Sequence, residues 1–436
     1  MASNVVTSNG WDLIAAATQD ALNAQLAKLP LVDINMKTTQ TIVSGLDAVI
    51  DLQISLAAPQ LRIRPGSGHQ VDVLLPLSGN ITINDQPLLI GTGQQVIVTT
   101  ELSEIEAQVT VAPNGANQTT YQLVIDFESP DAIVDVSTAV DPLVYGLLVL
   151  ALKKAIKDTI GKNPQYQVAS YTITNNQASQ YQALIPYVAD FTFVQDSGNA
   201  EHSNFLLLMQ TVTPIKGSLA FDSPVLAPDQ DFAVVVSNKL FIQYYVLPAI
   251  ISKIKGMAKN GDAVPGQINV HSIAGQQYMY EIANTGNIAL NKDHDPWISQ
   301  ITASIDTEMQ ALCLYLDGQA DVTSFNIHVD AWDRSWLQFS IDNSGNISLV
   351  QVKEEKNSST SLEWWQWLIE ILAGPIPLMI TAITYAIVST DEPDLGGSFA
   401  TLGQNVVTWP NQNTLIPKKI TTPNHVVFTL DVDFST

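Results

Sequence analysis

Two long apolar helical segments constrain the fold of this chain more than any other feature. The first, residues 142–160, begins at Asp141-Pro142, an N-cap residue followed by a favoured first helical residue, and ends at Gly161. The second, residues 361–388, begins at Ser361. Because both segments are apolar around most of the circumference, each must be buried on several sides. This pattern predicts a strongly curved sheet wrapped around each helix.

The remaining segments repeat one order of elements. A helix is predicted over residues 11–29, ending at Pro30, and another from the N-cap Ser237 to about Lys255, kinked at Pro248. Each half therefore reads helix, strands, helix, strands. The fold class is α+β, with two modules, residues 1–227 and 228–436, divided near Pro228. Strand patterns occupy residues 31–127, 166–225, 267–352 and 399–434, and the charged stretch 353–361 is predicted to be a loop.

The charge balance excludes several classes of partner. The 436 residues include 19 basic and 42 acidic side chains, giving a net charge of −23, which opposes binding to nucleic acid and to anionic membranes. Residues 371–388 carry no charge, but Pro375 and Pro377 interrupt them, so stable membrane insertion is not expected. The N-terminal residues lack the features of a secretory signal. Synthesis in the cytoplasm is therefore expected, with any release by a non-classical route.

Motifs that could carry chemistry all have a simpler interpretation. Asp293-His294-Asp295 has no further ligand nearby in sequence and is interpreted as a solvated loop, and Cys313, in an apolar run, as a buried, inert thiol. Neither a phosphate-binding loop nor a G-x-S-x-G motif occurs. The sequence therefore predicts no enzyme, no metal and no cofactor. Three carboxylates near Trp332 and Trp336 are interpreted as exposed strand or turn residues: Asp330, Asp333 and Asp342.

Short motifs give the chain a resemblance to a known family. These are Asn9-Gly10-Trp11-Asp12 before a helix containing Asn23, and Val234-Val235-Val236-Ser237 followed by Phe241. With the two-module order, they resemble the tubular lipid-binding superfamily, and in particular its accessory proteins from toxin gene clusters. The resemblance implies a boomerang of two modules, each a helix in a curved sheet with an apolar pocket, in a bacterial protein. Lipopolysaccharide recognition is not carried over, because the basic tip and the cysteine pair are missing.

The predicted function is therefore non-catalytic binding of a lipid or other apolar ligand inside the tubes. Two interpretations stay open: a hollow tube that holds a ligand, or a tube filled by side chains. With filled tubes, the chain is a protein-interaction or chaperone-like subunit of a toxin-associated complex, with related accessory proteins or a toxin as partners. The candidate lining residues lie on the helices: Leu22, Leu26, Leu147, Ile156, Leu240, Leu247, Trp364, Leu368 and Leu372.

Overall fold

Antiparallel β-sheet makes up most of the computed structural model, and helices are few. The structure describes residues 6–43, 46–65, 67–88, 93–111, 117–129, 131–136, 142–161, 163–174, 186–261, 264, 268–273, 277–282, 288–291, 296–322, 327–342, 347–358, 407–409 and 415–432.

In the first half of the chain the described residues form thirteen strands. These are β1 Leu13–Thr18, β2 Val32–Val43, β3 Leu46–Leu56, β4 Gln60–Ile63, β5 Ser67–Gly68, β6 Gln70–Ile83, β7 Gln86–Leu88, β8 Gln95–Val111, β9 Asn117–Ile125, β10 Ile133–Val136, β11 Gln167–Thr174, β12 Val188–Val194 and β13 Asn204–Gln210. The strands described in the second half are β14 Phe232–Val236, β15 Ile268–Ile273, β16 Gln277–Ile282, β17 Ile288–Ala289, β18 Trp297–Asp306, β19 Ala311–Val322, β20 Ile327–Ile341, β21 Ile347–Ser358, β22 Val407–Thr408, β23 Leu415–Thr421 and β24 Val426–Val432. The α-helices among the described residues are α1 Gln19–Leu26, α2 Pro142–Thr159, α3 Asn238–Phe241 and α4 Leu247–Met257, with a π-helical segment, Ile242–Val246, between α3 and α4.

A central sheet joins the two halves of the chain. Its strand order is β23-β24-β14-β1-β13-β12-β5, so strands from the last third of the chain lie beside strands from the first half. In β1, β13 and β14 every residue is buried. Side chains alternate between the two faces of a strand, so both faces of the sheet are covered at these three strands, which are mostly apolar.

The helix predicted from Trp11 is wrong at its start. Leu13–Thr18 forms β1, and the helix begins only at Gln19, where the Thr18 hydroxyl accepts a hydrogen bond from the Ala21 N–H. The error has a physical cause. A strand buried on both faces is apolar at every position, so it also satisfies the spacing of an amphipathic helix.

Trp11 and Asp12 form hydrogen bonds that attach the N-terminus to the segment covering the outer face of the central sheet. The Trp11 indole N–H donates to the Ser218 carbonyl at 2.9 Å. One carboxylate oxygen of the buried Asp12 accepts the N–H groups of Thr211 and Val212, both at 3.0 Å. The segment after β13 therefore folds back over the sheet, and its Phe221 packs into the cluster beneath.

A second sheet curls around α2. In it, β2 and β10 are separated by β3, β6 and β8. Four strand spacings span about 19 Å, whereas a helix is only about 10–12 Å wide. Because α2 nevertheless contacts both β2 and β10, the sheet must curve around it. The prediction of a helix over residues 142–160 within a curved sheet is confirmed; Asp141 lies outside the described residues.

The sheet of the second half has the order β15-β16-β18-β19-β20-β21, with β17 beside β18. Its inner face packs into the same buried cluster that contains α2, α3 and α4. Ser237 caps α3 as predicted, its hydroxyl accepting from the Leu240 N–H at 3.1 Å. The kink expected at Pro248 takes the form of the π-helical segment just before it, because proline has no N–H to offer the preceding turn.

Two other sequence-based predictions have different outcomes. The charged stretch after Val352 is a strand and not a loop, since β21 continues to Ser358 and pairs with β20. An edge strand can carry charged side chains on its exposed positions. Its sequence then lacks the apolar pattern from which a strand is predicted. The predicted helix over 361–388 lies outside the described residues. The boundary near Pro228 stays a prediction.

Candidate functional site

Six of the nine predicted lining residues lie in the described part of the chain. Leu22 and Leu26 are on α1, Leu147 and Ile156 on α2, Leu240 on α3 and Leu247 at the start of α4. All six are buried and belong to one continuous apolar cluster. The structure thus brings together residues from both halves of the chain. Trp364, Leu368 and Leu372 lie outside the described residues.

Helix α2 presents two different faces. Leu147 and Ile156 are 8% and 1% exposed and point into the curled sheet, whereas Leu150 is 54% exposed. On β10, which α2 contacts, Ile133 is 64% exposed. The helix is therefore held in the curl on one side and open on the other, which is less burial than its apolar composition predicts.

A separate cleft lies on the outward face of the second-half sheet. Its volume is about 570 Å³. Successive strands supply side chains from alternate positions, so they share one face of the sheet. The residues of this surface, named here the Arg334 cleft, are Gln300, Thr302 and Ser304 on β18, Cys313 and Tyr315 on β19, and Arg334 and Trp336 on β20.

Arg334 is surrounded by aromatic rings. Its guanidinium carbon lies 5.3 Å from the centre of the Tyr315 ring and 5.9 Å from those of Trp332 and Trp336. The Lys353 ammonium lies over Trp336 at 4.4 Å. These distances allow cation–π attraction, which holds the arginine side chain in one place.

Cys313, interpreted from the sequence as a buried, inert thiol, is half-buried. The thiol lies in the Arg334 cleft. Burial raises its pKa to about 11, with an opposing effect from the Arg334 charge. The thiol is therefore protonated at neutral pH and is a weak nucleophile, as an inert cysteine would be.

The three carboxylates near the tryptophans do not form a group. Asp330 is exposed and faces His328, at 3.4 Å from its Nε2 atom, and Asp342 is exposed. Asp333 points to the opposite face of β20, where it is 1% exposed. Burial raises the pKa of Asp333 to about 6, helped by the nearby Glu354 and opposed by the Ser335 hydroxyl, which donates to it at 3.0 Å. The interpretation of Asp333 as an exposed residue is wrong.

Arg334 and Tyr315 are residues that sequence reasoning missed. The signal was present in the period of two that places Trp332, Arg334 and Trp336 on one face of β20. Tyr315 and the hydroxyls of β18 join them only through the register of the β18–β19 and β19–β20 pairs.

Neither a metal site nor a membrane-spanning helix is found among the described residues. Among those residues, no group of three His, Cys, Asp or Glu side chains lies close enough to hold a metal ion. Asp293-His294-Asp295 falls outside them. None of the described helices is long and apolar enough to cross a membrane.

Comparison with known proteins rests on structure. No protein-family model matches the sequence, and no curated protein matches it. P47 from Clostridium botulinum A2 superposes with a TM-score of 0.64 at 15% identity, covering 98% of each chain. P47 of Clostridium botulinum E1 gives 0.63 at 16% identity, covering 97% of this chain and 99% of that one. A lipopolysaccharide-binding protein gives only 0.29, which is too low to support an argument. The resemblance expected from the sequence is therefore confirmed at the level of the fold, and the chain has the fold of P47.

Proposed function

We propose that this chain is a non-catalytic binding protein that holds a lipid or another apolar ligand inside its curled sheet. The observation that carries the proposal is α2, which contacts both β2 and β10 and so lies inside the curve of the sheet. Where side chains leave space between a curved sheet and the apolar helix inside it, that space encloses a ligand on several sides. The shared fold with P47 supports the architecture.

Burial of a hydrocarbon chain would supply the binding energy. A sixteen-carbon chain yields roughly 13 kcal/mol at ~0.8 kcal/mol per CH₂ group, before the cost of ordering is subtracted. Ligand shape and apolar area would then decide selectivity more than charge does. The proposed lining is the set predicted from the sequence, on the inner faces of the helices. Its members are Leu22, Leu26, Leu147, Ile156, Leu240, Leu247, Trp364, Leu368 and Leu372.

The proposal includes two modules in a boomerang, residues 1–227 and 228–436. The central sheet supports this, because its strand order is mirrored about the β1–β14 pair: β13 and β12 lie beyond β1 as β24 and β23 lie beyond β14. Each of the paired strands also leads into a helix with a hydroxyl N-cap, Thr18 or Ser237. We further propose synthesis in the cytoplasm, non-classical release, and a role as an accessory component of a toxin gene cluster.

A pair of variants on α2 tests the binding proposal. Leu147→Trp adds volume on the buried face of the helix and should reduce uptake of a fluorescent fatty acid several-fold. Leu150→Trp adds the same volume on the exposed face and should leave uptake unchanged. Uptake is measured by fluorescence titration, and lipids retained by the purified protein are identified by native mass spectrometry.

Two results would count against the proposal. One is a wild-type protein with no retained lipid and no uptake of the fatty acid. The other is equal uptake by both variants, which would place the ligand away from α2. Thermal unfolding of each variant is recorded in parallel, because overpacking a filled core costs about 1–3 kcal/mol without affecting a distant site.

A second function is favoured by the dense packing of the described interior. The six described lining residues are at most 8% exposed and share one cluster, as expected if side chains fill the tubes. The chain would then act as a rigid interaction or chaperone-like subunit, with related accessory proteins or a toxin as partners. Co-elution with a purified accessory protein or toxin from the same gene cluster, by a lipid-free chain, would favour this function. A chain that elutes as a monomer with every such candidate would weaken it.

A further inference from the structure

We propose that the Arg334 cleft binds a small hydroxylated monocarboxylate, such as a uronic acid sugar. This site lies on the outward face of the second-half sheet, away from the buried cluster that carries the proposed apolar site. The inference therefore stands independently of lipid binding.

The first observation is a guanidinium whose donors are unused within the protein. The chain has three arginines, and two of them, Arg62 and Arg64, pair with Asp72 at 2.8 and 3.9 Å. Arg334 forms neither an ion pair nor a hydrogen bond with any residue that the structure describes. A guanidinium has five N–H donors in a planar fork that matches a carboxylate. Its face is held by three aromatic rings, so the fork is pre-positioned.

The second observation is that nearby carboxylates are engaged elsewhere. Glu355, opposite Arg334 across the strand pair, contacts the Lys353 ammonium at 2.7 Å. Asp306 accepts the Trp336 indole N–H at 2.7 Å, and its other oxygen accepts the backbone N–H groups of Glu308 and Met309. The partner that completes the hydrogen bonds of Arg334 therefore has to come from outside this part of the protein.

The floor of the cleft indicates the rest of the ligand. Thr302 and Ser304 line it from β18, two strands away from Arg334, and each hydroxyl can both donate and accept a hydrogen bond. The Tyr315 ring forms an adjoining apolar wall. A ligand that carries hydroxyls next to its carboxylate matches these groups. The volume of about 570 Å³ falls in the range of small-molecule sites.

The charges around the cleft limit how much negative charge a bound anion can carry. Glu308 is exposed on its rim, and the whole chain carries a net charge of −23. A dianion such as phosphate meets more repulsion there than a monocarboxylate does. The geometry thus favours one negative charge surrounded by neutral hydroxyls.

Calorimetric titration of the full chain with glucuronate tests the proposal, with glucose, acetate and inorganic phosphate as comparison ligands. Glucuronate should bind saturably and more tightly than all three. Arg334→Gln should weaken it at least tenfold, because a charge-assisted bidentate pair is lost. Arg64→Gln removes an exposed arginine outside the cleft and should leave binding unchanged. Thr302→Val should weaken glucuronate but not acetate.

The outcomes separate clearly. Binding of glucuronate that Arg334→Gln abolishes and Arg64→Gln preserves supports the site. No saturable binding up to about 10 mM overturns it, as does equal binding by wild type and Arg334→Gln. Tighter binding of phosphate, or equal binding of glucose, overturns the assigned ligand class. If Arg334→Gln unfolds at lower temperature than wild type, Arg334→Lys serves instead. It keeps the charge but not the fork, and should bind with intermediate affinity.

Discussion

At the scale of single residues, two buried titratable groups respond to pH in opposite directions. Burial lowers the pKa of His425 to about 4, and its Nδ1 accepts the Asn238 N–H at 3.1 Å at the start of α3. Burial raises the pKa of Asp333 to about 6. The folded protein thus favours the neutral form of each. Asp333 contributes stability at low pH that is lost as the pH rises through its folded pKa, and His425 does the reverse.

We predict that protonation of His425 destabilises the protein in acid, against the opposing contribution of Asp333. The pKa of His425 is below the ordinary value of 6.5, so its contribution is complete above pH 6.5 and is lost as the pH falls toward 4. The expected contribution of His425 to this loss in the free energy of unfolding is about 3 kcal/mol over that range. His425→Asn keeps a hydrogen-bond acceptor without a titrating group and should flatten this slope in urea unfolding. His271→Asn, at an exposed edge strand, should retain it, and a slope unchanged in His425→Asn would contradict the assignment.

At the scale of elements, the link between the N-terminus and the segment after β13 depends on one carboxylate. Asp12 is 4% exposed and accepts two backbone N–H groups at 3.0 Å. Its own backbone carbonyl accepts the Ser237 N–H at 2.9 Å, where β14 ends. Asp12 therefore joins three segments of the chain, which are the N-terminus, the segment after β13 and the end of β14. The residues around Trp11 that resemble a known family thus have a structural role.

We predict that Asp12→Ala destabilises the protein by about 2–4 kcal/mol, because it leaves the buried Thr211 N–H and the half-buried Val212 N–H without their acceptor. Asp222→Ala, an exposed position on the covering segment, should change stability by less than about 0.5 kcal/mol. Both values come from denaturant unfolding. A loss of similar size in the two variants would show that the carboxylate of Asp12 does not act through these hydrogen bonds.

Helix ends that are marked by a characteristic residue could be predicted from the sequence. The stop at Gly161 and the cap at Ser237 are local chemistry, and both were correct. Leu13–Thr18 was misread because burial on both faces removes the period that distinguishes a strand. The Arg334 cleft could not be predicted, because it depends on the register in which β18, β19 and β20 pair.

At the scale of the whole molecule, the two halves share backbone hydrogen bonds. β14 pairs with β1 along five residues, and β22 pairs with β11 through Tyr171 and Val407. Trp409, 2% exposed, packs against Phe205 and Phe232, with ring centres 6.0 and 5.5 Å apart. The two halves are therefore joined by sheet pairing and by aromatic packing.

We predict that residues 1–227 expressed alone do not reach a stable fold. Without β14, the edge of β1 and both apolar faces beside it are open to solvent, which favours aggregation. Co-expression with residues 228–436 should restore a complex that melts cooperatively in calorimetry. A monomeric fragment 1–227 with the melting temperature of the full chain would contradict this expectation.

The pairing of β22 with β11 also has a consequence for the order of synthesis. β11 ends at Thr174, but the strand that covers its free edge begins only at Val407. A ribosome that adds about 5–20 residues per second needs roughly 10–50 s to cross that interval. During this time the nascent first half presents an uncovered strand edge. Completion of the first sheet thus waits for translation of the last part of the chain, and a factor that shields nascent edges would act in that interval.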